Sequence, residues 1–250
     1  MSALSKHLRW FGLWVLVACL LVQMPARTIG LILPDSLQLE GFSGSLWQGQ
    51  AARSRVVIGD KAFHLGYLSW RLSPHTLLFL SPSFDLHTRW GAQTVDLQLQ
   101  LTPSAVRLSN VDTKLDVRFI RQLMPLYTGG VLLVDLDYLE VATDRAPKIA
   151  GVILWEQAVW TARGRDVGLG NYQIAFASPL EANVETAVGE VTTASGALIA
   201  EGRVSFSPSE YDVNVALSGP ALDNQALHDA LQLMAVPSDG GLRIAISGEL

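Results

Sequence analysis

The stretch Thr-Val-Asp-Leu-Gln-Leu-Gln-Leu, residues 94–101, decides the fold class of this chain. Apolar residues occupy every second position, so Val95 and the three leucines that follow share one face of an extended segment. This alternation is typical of a β-strand with one buried face. The same period recurs at residues 105–108, 115–117, 131–141, 203–217 and 242–250. The sequence therefore predicts a mainly β protein, built as a curved antiparallel sheet or a sandwich.

Short turn signals punctuate these strands. Ser207-Pro208-Ser209 separates two alternating runs and predicts a hairpin. Further signals are Gly41 and Gly44, Ser73-Pro74, Ser81-Pro82, Gly129-Gly130, Ser218-Gly219-Pro220 and Gly240-Gly241. Two segments have helical spacing instead: residues 117–127, ending near Pro125, and residues 220–236, with Asp223 or Asn224 as the N-cap and Pro237 as the stop. We therefore expect two short helices beside the strands.

The order of these elements indicates two similar halves, at about 28–128 and 129–250. In each half, strands are followed by a short helix, a Gly-Gly pair and another strand. The stretch 44–51, Gly-Ser-Leu-Trp-Gln-Gly-Gln-Ala, also resembles the stretch 151–158, Gly-Val-Ile-Leu-Trp-Glu-Gln-Ala. No low-complexity linker divides the halves, so we expect continuous or tightly joined sheets.

The first 27 residues carry a separate signal. Lys6 and Arg9 precede an uncharged, apolar run from Trp10 to Ala26, and Arg27 closes it. About 17 such residues is near the lower limit for spanning a bilayer, and basic residues on the N-terminal side favour a cytoplasmic tail. The sequence predicts a cytoplasmic tail at 1–9, a single-pass inner-membrane anchor at 10–26 and a periplasmic domain at 27–250.

Two other interpretations of this segment stay open. A cleaved secretory signal is disfavoured because Met24 is too large for a small-x-small cleavage site. A lipoprotein signal would use Leu16-Val17-Ala18-Cys19, but the residues after Cys19 continue the apolar run, whereas a mature lipoprotein usually begins with polar residues. The retained anchor is therefore preferred, with Cys19 as a small apolar membrane residue.

Composition excludes several functions. Cys19 is the one cysteine of the sequence, so the exported part has neither disulfides nor cysteine-based metal sites. Beyond the N-terminal segment, 16 Lys and Arg stand against 23 Asp and Glu, a net charge of −7 that disfavours nucleic-acid binding. Charged residues are 16% of the chain and hydrophobic ones 49%, which indicates extensive apolar surface.

No catalytic constellation emerges from the polar residues. The five histidines lack metal-ligand spacing, and neither a nucleophile elbow nor a cofactor loop is present. The acidic residues Asp135, Asp137, Glu140 and Asp144 are compatible with a divalent cation site, but alternation favours the solvated face of a strand. We therefore expect no enzyme activity, no cofactor and no metal.

Tryptophan is frequent, with seven residues in the chain. Five lie beyond the N-terminal segment, in or beside predicted strands: Trp47, Trp70, Trp90, Trp155 and Trp160. They are interpreted as large side chains covering a sheet face, with an aromatic surface for a partner or a lipid chain as the alternative.

The stretch 39–51, Leu-Glu-Gly-Phe-Ser-Gly-Ser-Leu-Trp-Gln-Gly-Gln-Ala, resembles the signature of the type II secretion system protein N family. Residues 68–74, Leu-Ser-Trp-Arg-Leu-Ser-Pro, look like the family's second block. Weaker matches follow in order at 123–125 before Gly129-Gly130, at Gly151, Trp155 and Ala158, at 196–198 and at 241–248. The motif residues, with a structural or interaction role, are Gly41, Gly44, Leu46, Trp47, Gly49, Trp70, Pro74, Gly151 and Trp155.

The resemblance implies a non-enzymatic accessory or assembly component of type II secretion, which moves folded proteins from the periplasm across the outer membrane. Its partners would be other secretion components, the inner-membrane platform or the secretin, reached in part through exposed strand edges. The pattern is also similar to AsmA-like proteins, whose sheets curl into apolar grooves. The alternative function is therefore a periplasmic lipid-binding or lipid-transfer protein.

Overall fold

A computed structural model describes residues 19–20, 23–31, 36–58, 61–118, 127–142, 145–162, 165–177, 186–238 and 240–249. The chain forms two compact units, Met1–Trp90 and Gly91–Leu250. We call them unit 1 and unit 2. The proposed duplication, with halves at about 28–128 and 129–250, stays a prediction, and the compact units divide at a different point.

The described residues of unit 1 form an antiparallel meander of four strands. They are β1 (Leu37–Gly44), β2 (Gln48–Ile58), β3 (Lys61–Leu72) and β4 (Ser83–Trp90), bonded in chain order. A 3₁₀ segment, Ala26–Leu31, precedes β1, and a second, Pro74–Phe79, connects β3 to β4. Short connections between strands that alternate in burial produce this meander, since each strand buries one face beside its neighbour.

The core of unit 1 lies between the first 3₁₀ segment and the sheet. Ala26, Ala51, Leu68 and Trp70 are buried together, with exposed fractions between 0% and 7%. Ala26 ends the predicted anchor run, yet its side chain packs within the protein. The boundary along the chain between the N-terminal apolar run and the folded part of unit 1 therefore lies at or before Ala26.

The described residues of unit 2 form ten antiparallel strands. They are β5 (Gln93–Leu101), β6 (Ala105–Asp116), β7 (Thr128–Ala142), β8 (Arg145–Ala162), β9 (Arg165–Phe176), β10 (Ala187–Gly196), β11 (Ile199–Phe206), β12 (Glu210–Ser218), β13 (Ala235–Ser238) and β14 (Gly241–Glu249). The spatial order follows the chain except at the end, where β14 bonds to β12 and β13 lies outside it. The strands of each unit share a single sheet, so the sheet alternative is observed and the sandwich is not.

One α-helix of the described residues packs on unit 2. After a 3₁₀ turn at Pro220–Asp223, helix α1 spans Gln225–Gln232 and buries Leu227. The Asn224 side chain caps it by accepting a hydrogen bond from the Leu227 amide at 3.2 Å, as the sequence predicted. The helix ends before Leu233, however, and Pro237 lies in β13 rather than stopping the helix. Pro237 is tolerated there because β13 is the outermost strand.

Two other predictions have mixed outcomes. The hairpin around Ser207-Pro208-Ser209 is confirmed by the antiparallel pairing of β11 with β12. Gly129-Gly130 is not a turn, because both glycines lie in β7, where Gly130 faces the Trp155 ring. The helix predicted at 117–127 falls mostly on residues 119–126, which lie outside the described residues.

The predicted anchor at 10–26 also lies largely outside the described residues. Within the part of the chain that the structure describes, no helix is long and apolar enough to cross a membrane.

Candidate functional site

The loop between β1 and β2, residues 45–47, joins three parts of unit 1. The Leu46 amide donates to the Met24 carbonyl at 2.8 Å, and Pro25 forms an isolated antiparallel bridge with Ser45. The Leu72 amide, at the end of β3, donates to the Trp47 carbonyl at 2.7 Å. The loop therefore ties the end of the N-terminal apolar run, at Met24 and Pro25, to the end of β3.

The same loop is clamped by Trp70. Its indole Nε1 donates to the Leu46 carbonyl at 3.0 Å, and its ring meets Phe42 edge-on at a centroid distance of 6.4 Å. Trp70 pairs with Gly49 across β2 and β3, and its ring lies directly over that glycine. A Cβ at Gly49 would fall 2.7 Å from the Ser45 carbonyl oxygen as well as against the ring. The ring that covers Gly49 in this motif is therefore that of Trp70.

Two glycines allow the hairpin to close. Gly44 has φ +86°, and a Cβ there would lie 2.6 Å from the Gln48 carbonyl oxygen. Gly41 has φ +72°, inside β1. A side chain is disfavoured at both positions because left-handed φ values strain L-residues. Seven predicted motif residues, from Gly41 to Pro74, thus converge on one end of unit 1.

Pro74 begins the 3₁₀ segment that follows this end of β3. The side chain of Thr76 closes the segment, since its Oγ1 donates to the Ser73 carbonyl at 2.6 Å and accepts from the Ser83 amide at 3.0 Å. Beyond Thr76, the four residues Leu77–Leu80 are exposed and apolar. The strand pattern does not predict this run, and its signal in the sequence is four apolar residues between the pairs Ser73-Pro74 and Ser81-Pro82.

The remaining two motif residues, Gly151 and Trp155, lie on β8 in unit 2. Gly151 has φ +131°, and a Cβ there would lie 2.6 Å from the Cα of Leu136 on β7. The Trp155 Nε1 donates to the Gly129 carbonyl at 3.1 Å, and its ring is 5.6 Å from that of Tyr172. In unit 2, Trp155 therefore lies over a glycine of the neighbouring strand, as Trp70 does in unit 1.

Trp155 also lines an apolar cavity of about 600 Å³ in unit 2. Its walls come from strands β7 to β12, from β14 and from helix α1. Aromatic rings from two strands and one face of the helix meet there, through Trp155, Trp160, Tyr172, Leu227, Ala230 and Leu231. Tyr127, Leu233 and Met234 line the cavity as well and are exposed, so they form its rim. This volume lies within the range of ligand pockets, about 300–1,000 Å³.

The cavity offers almost no polar chemistry. Among the residues that the structure describes, no charged side chain lines it. The Tyr172 hydroxyl donates to the Leu198 carbonyl at 2.8 Å, and burial raises the pKa of Tyr172 to about 12. Because this hydroxyl and the Trp155 Nε1 already have partners, the cavity suits an apolar occupant. The sequence predicted apolar surface but not where it gathers, since the lining residues come from seven strands and a helix.

The acidic stretch on β7 divides into two environments. Asp135 and Asp137 are exposed, as a solvated face requires. Glu140 is 6% exposed, because its carboxylate accepts hydrogen bonds from the Tyr138 hydroxyl and from Nε of Arg107. These bonds, that of Tyr138 first, lower the pKa of Glu140. The expectation of a wholly solvated face is therefore wrong at Glu140.

The structure contains no group of three or more His, Cys, Asp or Glu side chains able to hold a metal ion within its described residues. Asp144 lies outside them.

Comparison with known proteins identifies the family of this chain. The family model described as Type II secretion system (T2SS), protein N matches residues 35–245. A Type II secretion system protein N from Vibrio cholerae serotype O1 (strain ATCC 39315 / El Tor Inaba N16961) is 37% identical over 82 residues, which are 32% of this chain and 31% of that relative. The alignment thus spans about a third of the curated relative. No solved structure matches the chain. Because the family match extends from β1 into β14, the chain belongs to the type II secretion system protein N family.

Proposed function

We propose that this protein is a non-enzymatic inner-membrane accessory of the type II secretion system that supports export of folded proteins across the outer membrane. Residues 10–26 hold it in the inner membrane, with residues 1–9 in the cytoplasm and the β-rich residues 27–250 in the periplasm. The observation that carries the proposal is the family match over residues 35–245. Its partners are the inner-membrane platform or the secretin.

The edge strand β1 supplies a surface for such a partner. It is the terminal strand of the order found in unit 1, bonded to β2. Its exposed residues Gln38 and Glu40 alternate with half-buried Leu37 and Leu39. A terminal strand offers backbone donors and acceptors to an added strand, and alternate side chains give specificity.

Site-specific photo-crosslinking in cells tests this proposal. A photoreactive amino acid at Gln38 is expected to capture a secretion component, whereas the same group at exposed Asp112 gives a matched control, because β6 is paired on both sides. Export of a secreted reporter protein is measured in the same cells after depletion of the protein. Normal export after depletion, with no captured secretion component at Gln38, would contradict the proposal.

The apolar cavity supports a second candidate function, the binding of a lipid acyl chain. Its size, its apolar lining and its exposed rim suit a hydrocarbon chain. Water is a poor occupant of such a cavity, because an apolar lining offers it few hydrogen-bond partners. Under this alternative, the protein binds or transfers lipid in the periplasm.

A pair of alanines on α1 provides the test. Ala230 lines the cavity and Ala226 is exposed on the same helix. Ala230→Trp is expected to fill the cavity and to lower the amount of copurified phospholipid, measured by native mass spectrometry, whereas Ala226→Trp leaves it unchanged. Equal lipid content in the two variants, or no lipid in the unaltered protein, would argue against this function.

A further inference from the structure

Four consecutive apolar residues stand exposed on the connection between β3 and β4. Leu77, Leu78, Phe79 and Leu80 are 39%, 84%, 77% and 75% exposed. We call them the apolar tip. Contact with water is unfavourable for large apolar side chains, and runs of this kind on a surface mark interaction sites.

Hydrogen bonds fix the tip in this outward conformation. Thr76 joins the Ser73 carbonyl to the Ser83 amide and so closes the base of the connection. The Leu80 amide donates to the Leu77 carbonyl at 3.1 Å, although Leu80 must adopt a left-handed conformation with φ 52°. A non-glycine residue held in this conformation is strained, and such strain is concentrated at functional segments. Paired backbone groups also lower the cost of moving the segment out of water.

The tip lies at the end of unit 1 where the N-terminal apolar run joins the sheet. The Leu46 amide bonds the Met24 carbonyl, two residues before the run ends. The next residue, Trp47, accepts from the amide of Leu72, and the connection that carries the tip begins directly after Leu72. In an antiparallel meander, alternate connections lie at the same end of the sheet. The connection from β3 to β4 therefore lies at the same end as the β1–β2 loop. The apolar tip and the described end of the N-terminal run, at Met24 and Pro25, thus lie at the same end of unit 1.

We propose that the apolar tip inserts into the head-group and acyl-chain boundary of the bilayer that holds residues 10–26. This inference rests on the membrane anchoring proposed above. A tip of four side chains is too small for a specific protein interface, which buries about 800 Å² per partner, whereas a fluid bilayer needs no preformed complement.

The surroundings of the tip suit a membrane surface. Residues 73–84 contain no Asp, Glu, Lys or Arg, so no carboxylate, ammonium or guanidinium group would have to enter the boundary with the tip. Arg27, Arg71 and Asp85 flank the same end and are exposed. Trp47 in the neighbouring loop belongs to the residue type enriched at membrane interfaces.

Fluorescence quenching of the full chain in vesicles of phosphatidylethanolamine and phosphatidylglycerol tests the inference. Cys19→Ser removes the native cysteine, after which Phe79→Cys or Arg89→Cys carries a polarity-sensitive fluorophore. Arg89 is exposed near the far end of β4, about 20 Å from its start at about 3.3 Å per residue. The Phe79 label is expected to shift to the blue, to be quenched by brominated acyl chains and to be protected from iodide. The Arg89 label is expected to show the opposite pattern.

Vesicle flotation separates this inference from the anchoring on which it rests. If the protein floats with vesicles but iodide quenches both labels equally, the anchor stands and the insertion of the tip is overturned. If the protein does not float, both are overturned. Leu78→Asp in the Phe79→Cys background is expected to lose quenching by brominated chains while flotation persists. Its circular dichroism should be unchanged, because the Leu78 side chain is exposed.

Discussion

Replacement of Trp70 by alanine is expected to destabilise unit 1 more than any other single tryptophan replacement in that unit. Trp70 is 3% exposed, donates to the Leu46 carbonyl at 3.0 Å and covers Gly49. Its loss would open a cavity beside the β1–β2 loop and leave the Leu46 carbonyl without its donor. Trp90, 42% exposed in the same unit, is the matched control.

The magnitudes depend on what each variant removes. Removing a buried tryptophan costs about 3–5 kcal/mol, which includes the residual cavity. Trp70→Phe keeps an aromatic ring but loses the hydrogen bond, at a cost of about 1–3 kcal/mol if the Leu46 carbonyl stays buried without a donor. Trp90→Ala should change stability by less than about 1 kcal/mol, as is usual for exposed positions.

Hydrogen–deuterium exchange of the amides in β2 and β3 measures these differences locally. Exchange in Trp70→Ala should accelerate by about two to three and a half orders of magnitude, since 1.4 kcal/mol corresponds to a factor of ten. Trp70→Phe should fall between that variant and the unaltered protein. Equal exchange rates in Trp70→Ala and Trp90→Ala would refute the clamp that we assign to Trp70.

Three further predictions concern single side chains. Gly49→Ala should destabilise unit 1 by about 1–3 kcal/mol because the added Cβ meets the Trp70 ring. Gly168→Ala should not lower stability, since its added Cβ would meet no atom within 4 Å. Urea unfolding compares the free energies of unfolding of the two variants. Because the pKa of Glu140 is lowered, its stabilising contribution is present above the ordinary carboxyl pKa and is lost as pH falls through the folded-state pKa. Glu140→Gln should therefore make the free energy of unfolding less dependent on pH in the acid range. An unchanged slope of that free energy against pH would contradict this. Asn224→Ala should cost about 1 kcal/mol through loss of the helix cap, seen as faster amide exchange at the start of α1, whereas exchange in β5 stays constant.

Local patterns were enough to predict much of the secondary structure. Alternation at 94–101 lies within β5, the Ser-Pro-Ser turn at 207–209 joins two paired strands, and Asn224 caps α1. Each of these depends on neighbours within a few residues, through side-chain period or backbone geometry. The family resemblance, carried by residues 39–51 and 68–74, is confirmed by the match over residues 35–245.

Pairing between strands determined two features that the local residue pattern did not predict: the position of Gly129-Gly130 and the burial of Glu140. Gly129-Gly130 has the composition of a turn but lies in β7, where a Cβ at Gly129 would meet Val159 and a Cβ at Gly130 would meet the Trp155 ring. Glu140 follows the exposed residues Asp135 and Asp137 in the chain yet is buried, and its carboxylate is bonded by Arg107, its paired residue on β6.

The sequence by itself determined the strands with clear alternation, such as β5, β11, β12 and β14, the cap of α1 and the family, because these depend on the order of residue types along the chain. The tertiary structure alone decided which side chains meet. It placed Trp70 over Gly49, gathered the lining of the apolar cavity from eight elements and set the apolar tip beside the attachment of the N-terminal run. These contacts join residues far apart in the chain, so strand register and packing select them, and no local period encodes them.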